Sequence, residues 1–211
     1  TNESYPHEHH LCATVLSLHA ITESLLLLGE ECNRSIHKTG DFVMRNNNKC
    51  VANQMAGAAA ALYNLYLLTN ENRFKDGSDE KIGFLLRMQD SAGFFMEYDG
   101  FDCGYDSITV SFLASLFEKT KREDIKNAAL RCITHSAAFI DNDGYFLCEK
   151  MSRKTQFLYP YGFSVFDNSI IEKIESGLRK NVILNPQWMD DRYCIPLTNN
   201  YLMTARKRQK A

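Results

Sequence analysis

Apolar positions recur along most of this chain at the three- and four-residue spacing of one helix face. From about Leu11 to Gly29 that face runs through Val15, Leu18, Thr22, Leu25 and Leu26. The stretch Val51 to Leu68 is apolar or small nearly all round, with Met55, Ala59, Leu62 and Tyr66 on one side and Ala58, Ala61, Leu65 and Leu68 on another. A helix of that kind is wrapped by protein on most sides. Gly57 and the alanines let a neighbouring backbone approach, so this should be the most buried helix of the protein. Residues 78–90 place Ile82, Leu85 and Leu86 on one stripe, with Asp79 and Glu80 in the first turn, where the helix dipole favours acids. Two stripes, Ile108–Phe112–Leu116 and Thr109–Leu113–Phe117, predict the next helix. Ile125, Ala128, Cys132 and Ile133 predict another, running to about Ile140.

The breaks between these segments are equally legible. Asp90 to Gly104 is rich in glycine and aromatic residues and predicts a loop. Tyr145–Lys150 and Thr155–Tyr159 alternate as a small β-hairpin would, turning through Met151–Lys154. Ser169 with Glu172 makes a capping box ahead of Ile171, Ile174 and Leu178. Pro186 interrupts the chain, and a last helix is expected near Met189, with Pro196 ending or kinking it. The pattern is that of an all-α protein of antiparallel helix-pair repeats with a small β-hairpin, one domain over residues 1–211.

Composition narrows the functions. A 45% hydrophobic, 24% charged chain can bury a core. Its net charge of −2 supplies no field for nucleic acid or an anionic membrane. The one basic cluster, Arg206, Lys207, Arg208 and Lys210, suits the end of a helix. Seven scattered cysteines without a CxxC spacing argue against a disulfide framework and a zinc ribbon, and read as buried thiols in a reduced compartment. No uninterrupted apolar run, Leu25 to Leu28 included, is long enough to span a bilayer, which predicts no membrane insertion. The expected location is the cytoplasm, or the periplasm if a signal peptide preceded Thr1.

One internal echo stands out. A helix followed by Asp90-Ser-Ala-Gly93-Phe94-Phe95 recurs as a helix followed by Asp141-Asn-Asp143-Gly144-Tyr145-Phe146, the two glycines 51 residues apart. Glycine supplies the turn after the helix, and the aromatics fold back over the helix ends. The segments Val51-Ala-Asn-Gln-Met-Ala-Gly-Ala-Ala-Ala-Ala-Leu62, Gln89-Asp-Ser-Ala-Gly-Phe-Phe-Met-Glu-Tyr-Asp-Gly-Phe-Asp-Cys-Gly-Tyr105 and Ser152-Arg-Lys-Thr-Gln-Phe-Leu-Tyr-Pro-Tyr-Gly162 resemble blocks of bacterial (α/α)-toroid proteins. Those proteins are similar to the helical domains of heparinase-type polysaccharide lyases, and some accompany surface-polysaccharide genes. The resemblance covers roughly residues 51–163. It implies an (α/α) toroid, or a partial one, since the helix pairs are fewer than a ring requires. The Gln89…Gly93-Phe94-Phe95 element also resembles the Gln-Trp repeats of terpenoid cyclases, with Phe in place of Trp.

Two polar constellations can carry chemistry. The first is Glu97, Tyr98, Asp99, Asp102, Tyr105 and Asp106 in the glycine-rich loop. Sugar rings stack on aromatic faces while carboxylates accept hydroxyl protons, so Glu97 with Asp99 or Asp102 suits the acid and base of a glycosidase. The same acids can instead cap the helix near Tyr105 and bond loop amides; they lack the ligand spacing of a Ca²⁺ loop. The second is Arg153, Tyr159 and Tyr161, with Asn53 and Gln54 as possible neighbours. Uronate β-elimination needs a base, for which Tyr105, Tyr159 or Tyr161 qualifies, and a group such as Asn53 or Arg153 to neutralise the carboxylate. Equally, Tyr159-Pro160-Tyr161-Gly162 makes a rigid aromatic turn over helix ends. His7, His9 and His10 do not form the HExxH zinc pattern, and His135 reads as a packed histidine. A prenyl-binding toroid is disfavoured because Asp190-Asp191 continues as Arg192 and Tyr193 rather than as DDxxD.

The expected function is therefore handling of a polysaccharide or oligosaccharide, as lyase or glycosidase of a bacterial surface polysaccharide. The alternative is a non-catalytic carbohydrate-binding or scaffolding domain. Neither reading invokes a metal or cofactor, a nucleic-acid partner or a particular oligomer.

Overall fold

A computed structural model of the protein describes residues 9–209. His7 of the histidine cluster and Lys210 of the basic cluster lie outside the described residues. The described chain is predominantly α-helical with no strand. The single domain expected over the whole length divides into two compact units, Thr1–Met88 and Gln89–Ala211.

The N-terminal unit holds α1 (Leu11–Leu28), α2 (Arg34–Arg45), α3 (Ala52–Thr69) and α4 (Asn72–Arg87). α1 begins where the His10 ring accepts the Ala13 N–H at 3.3 Å, and it ends on Gly29, whose φ of 71° the left-handed cap requires. Its expected face is the buried one: Val15, Leu18 and Thr22 are buried, and Leu25 and Leu26 half-buried. Its far side exposes Leu16, Ile21, Leu27 and Leu28. By length and composition alone α1 is also apolar enough to cross a membrane, which the interrupted apolar runs of the sequence conceal.

α3 is buried at every position from Ala52 to Leu62, as its all-round apolar pattern predicts. It packs on α1 and α4, and the Ser78 hydroxyl of α4 donates to the Ala59 carbonyl at 2.8 Å. α4 starts at Asn72, earlier than the sequence suggests. Gly77 and Ser78 resemble a helix start but are small residues demanded by packing: a Cβ on Gly77 would lie 2.9 Å from the Met44 side chain. α2 has no counterpart in the sequence reading. Its start is set by Asn33, whose side chain accepts the N–H groups of Ser35 and Ile36. Val15, Leu18, Val43, Ala58, Leu62, Leu65 and Phe74 form the core that these four helices share.

The C-terminal unit holds α5 (Cys103–Thr120), α6 (Glu123–Ala137), α7 (Pro160–Phe166), α8 (Ser169–Arg179) and α9 (Asp191–Arg208). α7 packs on α5, α8 and α9, and α5 also packs on α6. The capping box is displaced: Ser169 is already helical, and Asp167 accepts its N–H at 2.9 Å. Pro196 lies inside α9 rather than ending it. The expected hairpin is absent among the described residues. Cys148–Lys150 forms a 3-10 turn, and the chain beyond it is tied over the start of α5 instead of to a partner strand.

The echo in the sequence proves to be a repeated module. α3 and α5 start 51 residues apart, as do α4 and α6. Both first helices end on left-handed caps, Asn70 (φ 58°) and Lys121 (φ 56°). Thr69 and Thr120, at equivalent positions, each donate to the carbonyl four residues back, at 2.7 and 2.9 Å. The turns that follow the modules also match. Asp90 N–H bonds to Phe94 and Asp141 N–H to Tyr145, each around a positive-φ glycine, Gly93 or Gly144.

Candidate functional site

The start of α5 and the two loops flanking it carry most of the residues singled out by the sequence. Asp102 organises them. Its Oδ1 accepts the Tyr105 N–H at 3.1 Å, which caps α5, and its Oδ2 accepts the N–H groups of Arg153 and Thr155 at 3.1 and 3.2 Å. Ser152 adds two ties, its N–H to the Phe101 carbonyl at 2.8 Å and its hydroxyl to the Glu97 carbonyl at 2.7 Å. Gly104 is needed here because a Cβ would meet the Thr155 side chain at 2.2 Å. Arg153 of the second constellation is therefore brought to the first.

What they present to solvent is aromatic and cationic. Tyr98 and Asp99 adopt left-handed backbone, φ 51° and 68°, in a turn closed by Glu97 N–H to Gly100 at 2.9 Å. That conformation is costly for residues with a side chain and lifts both out into water. The Arg153 guanidinium lies 4.2 Å from the centre of the Tyr98 ring and 5.9 Å from that of Tyr105. The Tyr98 and Tyr105 rings stand edge to face at 6.2 Å. Among the described residues no carboxylate pairs with the Arg153 side chain. Tyr159 is half-buried beside them, its N–H bonded to the Ser107 hydroxyl at 2.9 Å. Phe157 bridges Tyr159 and Tyr193, at 5.7 and 6.4 Å between ring centres.

Burial keeps the Tyr105 and Tyr159 phenols protonated at neutral pH. Burial, with Tyr193 and Tyr105 adding to it, pushes the Tyr159 phenol up to about 12. Burial also raises Tyr105, against the opposing pull of Arg153.

The geometry places several of the singled-out residues away from this surface. The Glu97 and Asp102 side chains are fully buried, so neither lines a surface with Asp99, and Asp102 is spent on three backbone amides. Asp99 is the exposed acid of the loop. Tyr161 belongs elsewhere: its hydroxyl donates to Glu118, which also receives Lys207 at 2.6 Å, and its N–H bonds Asn200 at 2.8 Å. Pro160 opens α7 as its first residue, and this short helix replaces the expected turn. Asn53 and Gln54 occupy the first turn of α3 in the N-terminal unit, both buried, with Gln54 accepting from Asn48 at 3.0 Å. His135 packs among Phe94, Phe101 and Phe139, 4.6–5.3 Å between ring centres. Phe157 and Tyr193 join this surface without a signal of their own in the sequence. An aromatic run Phe157-Leu-Tyr159 was visible, but only the fold brings Tyr193 of α9 to it.

No family model, curated protein or solved structure matches the chain.

Proposed function

We propose that this protein handles an oligosaccharide, and that it does so as a binding domain whose platform is Tyr98, Tyr105, Tyr159 and Arg153. The observation that carries this reading is the exposed Tyr98 ring with the Arg153 guanidinium over it at 4.2 Å, a cation free of any carboxylate partner among the described residues. Aromatic faces stack on the apolar faces of sugar rings, and a guanidinium fork meets hydroxyls or a uronate carboxylate with paired donors. The binding reading is preferred to the lyase or glycosidase because the platform offers one exposed acid, Asp99, and burial raises the Tyr105 and Tyr159 phenols away from the range of a base. The repeated helix pair is the kind of unit from which an (α/α) toroid, the arrangement that the resemblance implies, is built.

The test is a glycan array probed with the full chain, followed by titration of the best oligosaccharide. Tyr98→Ala and Arg153→Ala are each expected to weaken binding at least tenfold, ~1.4 kcal/mol, without loss of helicity. Wild type that retains no glycan at all would overturn the reading. Turnover of the bound sugar, abolished by Asp99→Asn, would move it to the catalytic alternative.

A further inference from the structure

Asp106, in the first turn of α5, has no exposed surface. Its Oδ1 accepts the N–H of Phe95 at 3.2 Å, while its Oδ2 accepts no hydrogen bond among the described residues. Phe95 closes the turn that begins at Gln89, and its ring is fully buried. The groups facing Asp106 are the buried carboxylates of Glu97 and Asp102 from the loop, the Cys103 thiol of its own helix and the Cys132 thiol of α6. His135 of α6 packs instead among phenylalanine rings, and among the described residues no lysine, arginine or histidine is ion-paired with Asp106.

An ionised carboxylate there would have neither water nor counter-charge, and like charges would stand beside it. Burial is the main cause that drives the Asp106 carboxyl well above its usual range. Glu97 and Asp102 add to it, against smaller opposing effects of the nearby Cys132 thiol and the Phe95 N–H. The module itself does not demand an acid: the equivalent position of α3 is Met55, equally buried.

We propose that Asp106 is a carboxylic-acid latch: while neutral it stays sealed between α5 and the Gln89–Phe95 turn, and rising pH opens the turn because the ionised carboxylate must reach water. The latch stands whether or not the loop binds sugar. Its sign follows from linkage. In the unfolded chain the group ionises near its usual ~3.9, whereas in the folded protein it holds its proton to higher pH. The latch is therefore at full strength below the unfolded value and is lost as pH rises through the folded one.

The experiment compares thermal melts of the wild type and Asp106→Asn, full-length, from pH 5 to pH 9. Asparagine keeps an acceptor for the Phe95 N–H and cannot ionise. The variant's melting temperature is expected to gain on the wild type by ~3–5 °C per pH unit until the folded-state value is passed. Curves that stay parallel across the range overturn the latch. Carbon-13 NMR of the wild type decides independently should the variant fail to fold. One aspartate carboxyl carbon still at its neutral-acid position at pH 7, with the Phe95 amide protected from exchange, supports the proposal. Complete ionisation of all aspartates at pH 7 overturns it.

Discussion

The carboxylate of Asp102 joins a helix start to a loop far along the chain by accepting from Tyr105, Arg153 and Thr155. Its removal strands three N–H groups, of which Thr155 is buried and the other two are near the surface. Asp102→Ala is expected to cost ~2–4 kcal/mol, about one for the cap and the rest for amides left without acceptors. Asp102→Asn keeps one acceptor oxygen and should cost less than half as much. Urea denaturation of the full chain measures both, and an alanine variant as stable as wild type would refute the clamp. Both roles of this acid, catalyst or cap, are open in the sequence, since Asp followed three residues later by a helical position satisfies either. In the structure it is the cap. The same holds in reverse for Tyr98, whose left-handed backbone puts outside a ring that the sequence leaves free to pack anywhere.

Elements repeat more faithfully than their sequences do. The turns at Gly93 and Gly144 share positive φ, 107° and 83°, and both press on a later helix. A Cβ on Gly93 would lie 2.7 Å from the Arg131 carbonyl oxygen of α6, and one on Gly144 would lie 2.3 Å from the Lys173 carbonyl oxygen of α8. Gly29 has the same backbone sign but open space around it. Substitution by alanine should therefore rank Gly144 worst, then Gly93, then Gly29. Gly29→Ala pays only the backbone term of ~1 kcal/mol, and the other two add an overpacking cost of ~1–3 kcal/mol. Chemical denaturation of the three variants checks the order. Equal losses at all three would mean that the turns do not bear on α6 and α8. The Gly-aromatic echo was readable because turn chemistry is local. The matching cap at Lys121 was not, because lysine is not a usual choice for the left-handed conformation that Asn70 adopts readily.

At the scale of the whole molecule, each unit is held by polar ties that cross its helices. In the C-terminal unit Glu118 of α5 receives Tyr161 of α7 and Lys207 of α9. Burial works to raise the Glu118 carboxyl, but the hydrogen bonds from Lys207 and Tyr161 outweigh it and hold it below its usual range. A depressed acid contributes stability above its unfolded value, ~4.3, and loses it as pH falls through the folded value. Lys207→Met is expected to lower stability at pH 7 by no more than ~1 kcal/mol, since Lys207 and Glu118 are 37% and 34% exposed and solvent screens them. The deficit should shrink as pH drops below 4. A deficit that persists unchanged at pH 3 would place the lysine's contribution in its packing rather than its charge. In the N-terminal unit Lys81 plays a comparable part, donating to the Met44 and Asn46 carbonyls and to Asn47, at 3.0, 2.7 and 2.6 Å.

By itself the sequence determined an all-α protein, the positions of α1, α3, α5 and α6, the burial of α3, and the glycine turns. Each of these follows from spacing or from a single residue's backbone preference, which are local properties. Tertiary structure alone decided that α4 begins before Gly77, that the polar stretch Arg34–Arg45 is a helix, and that residues 145–159 cross the start of α5 without forming a hairpin. It also decided which acids are exposed. Glu97, Asp99, Asp102 and Asp106 look alike in a loop read as letters, yet only Asp99 of these keeps its water. A carboxylate is buried where distant amides or its own proton compensate for lost hydration, and those partners, Arg153 and Thr155 above all, come within reach only once the chain has folded.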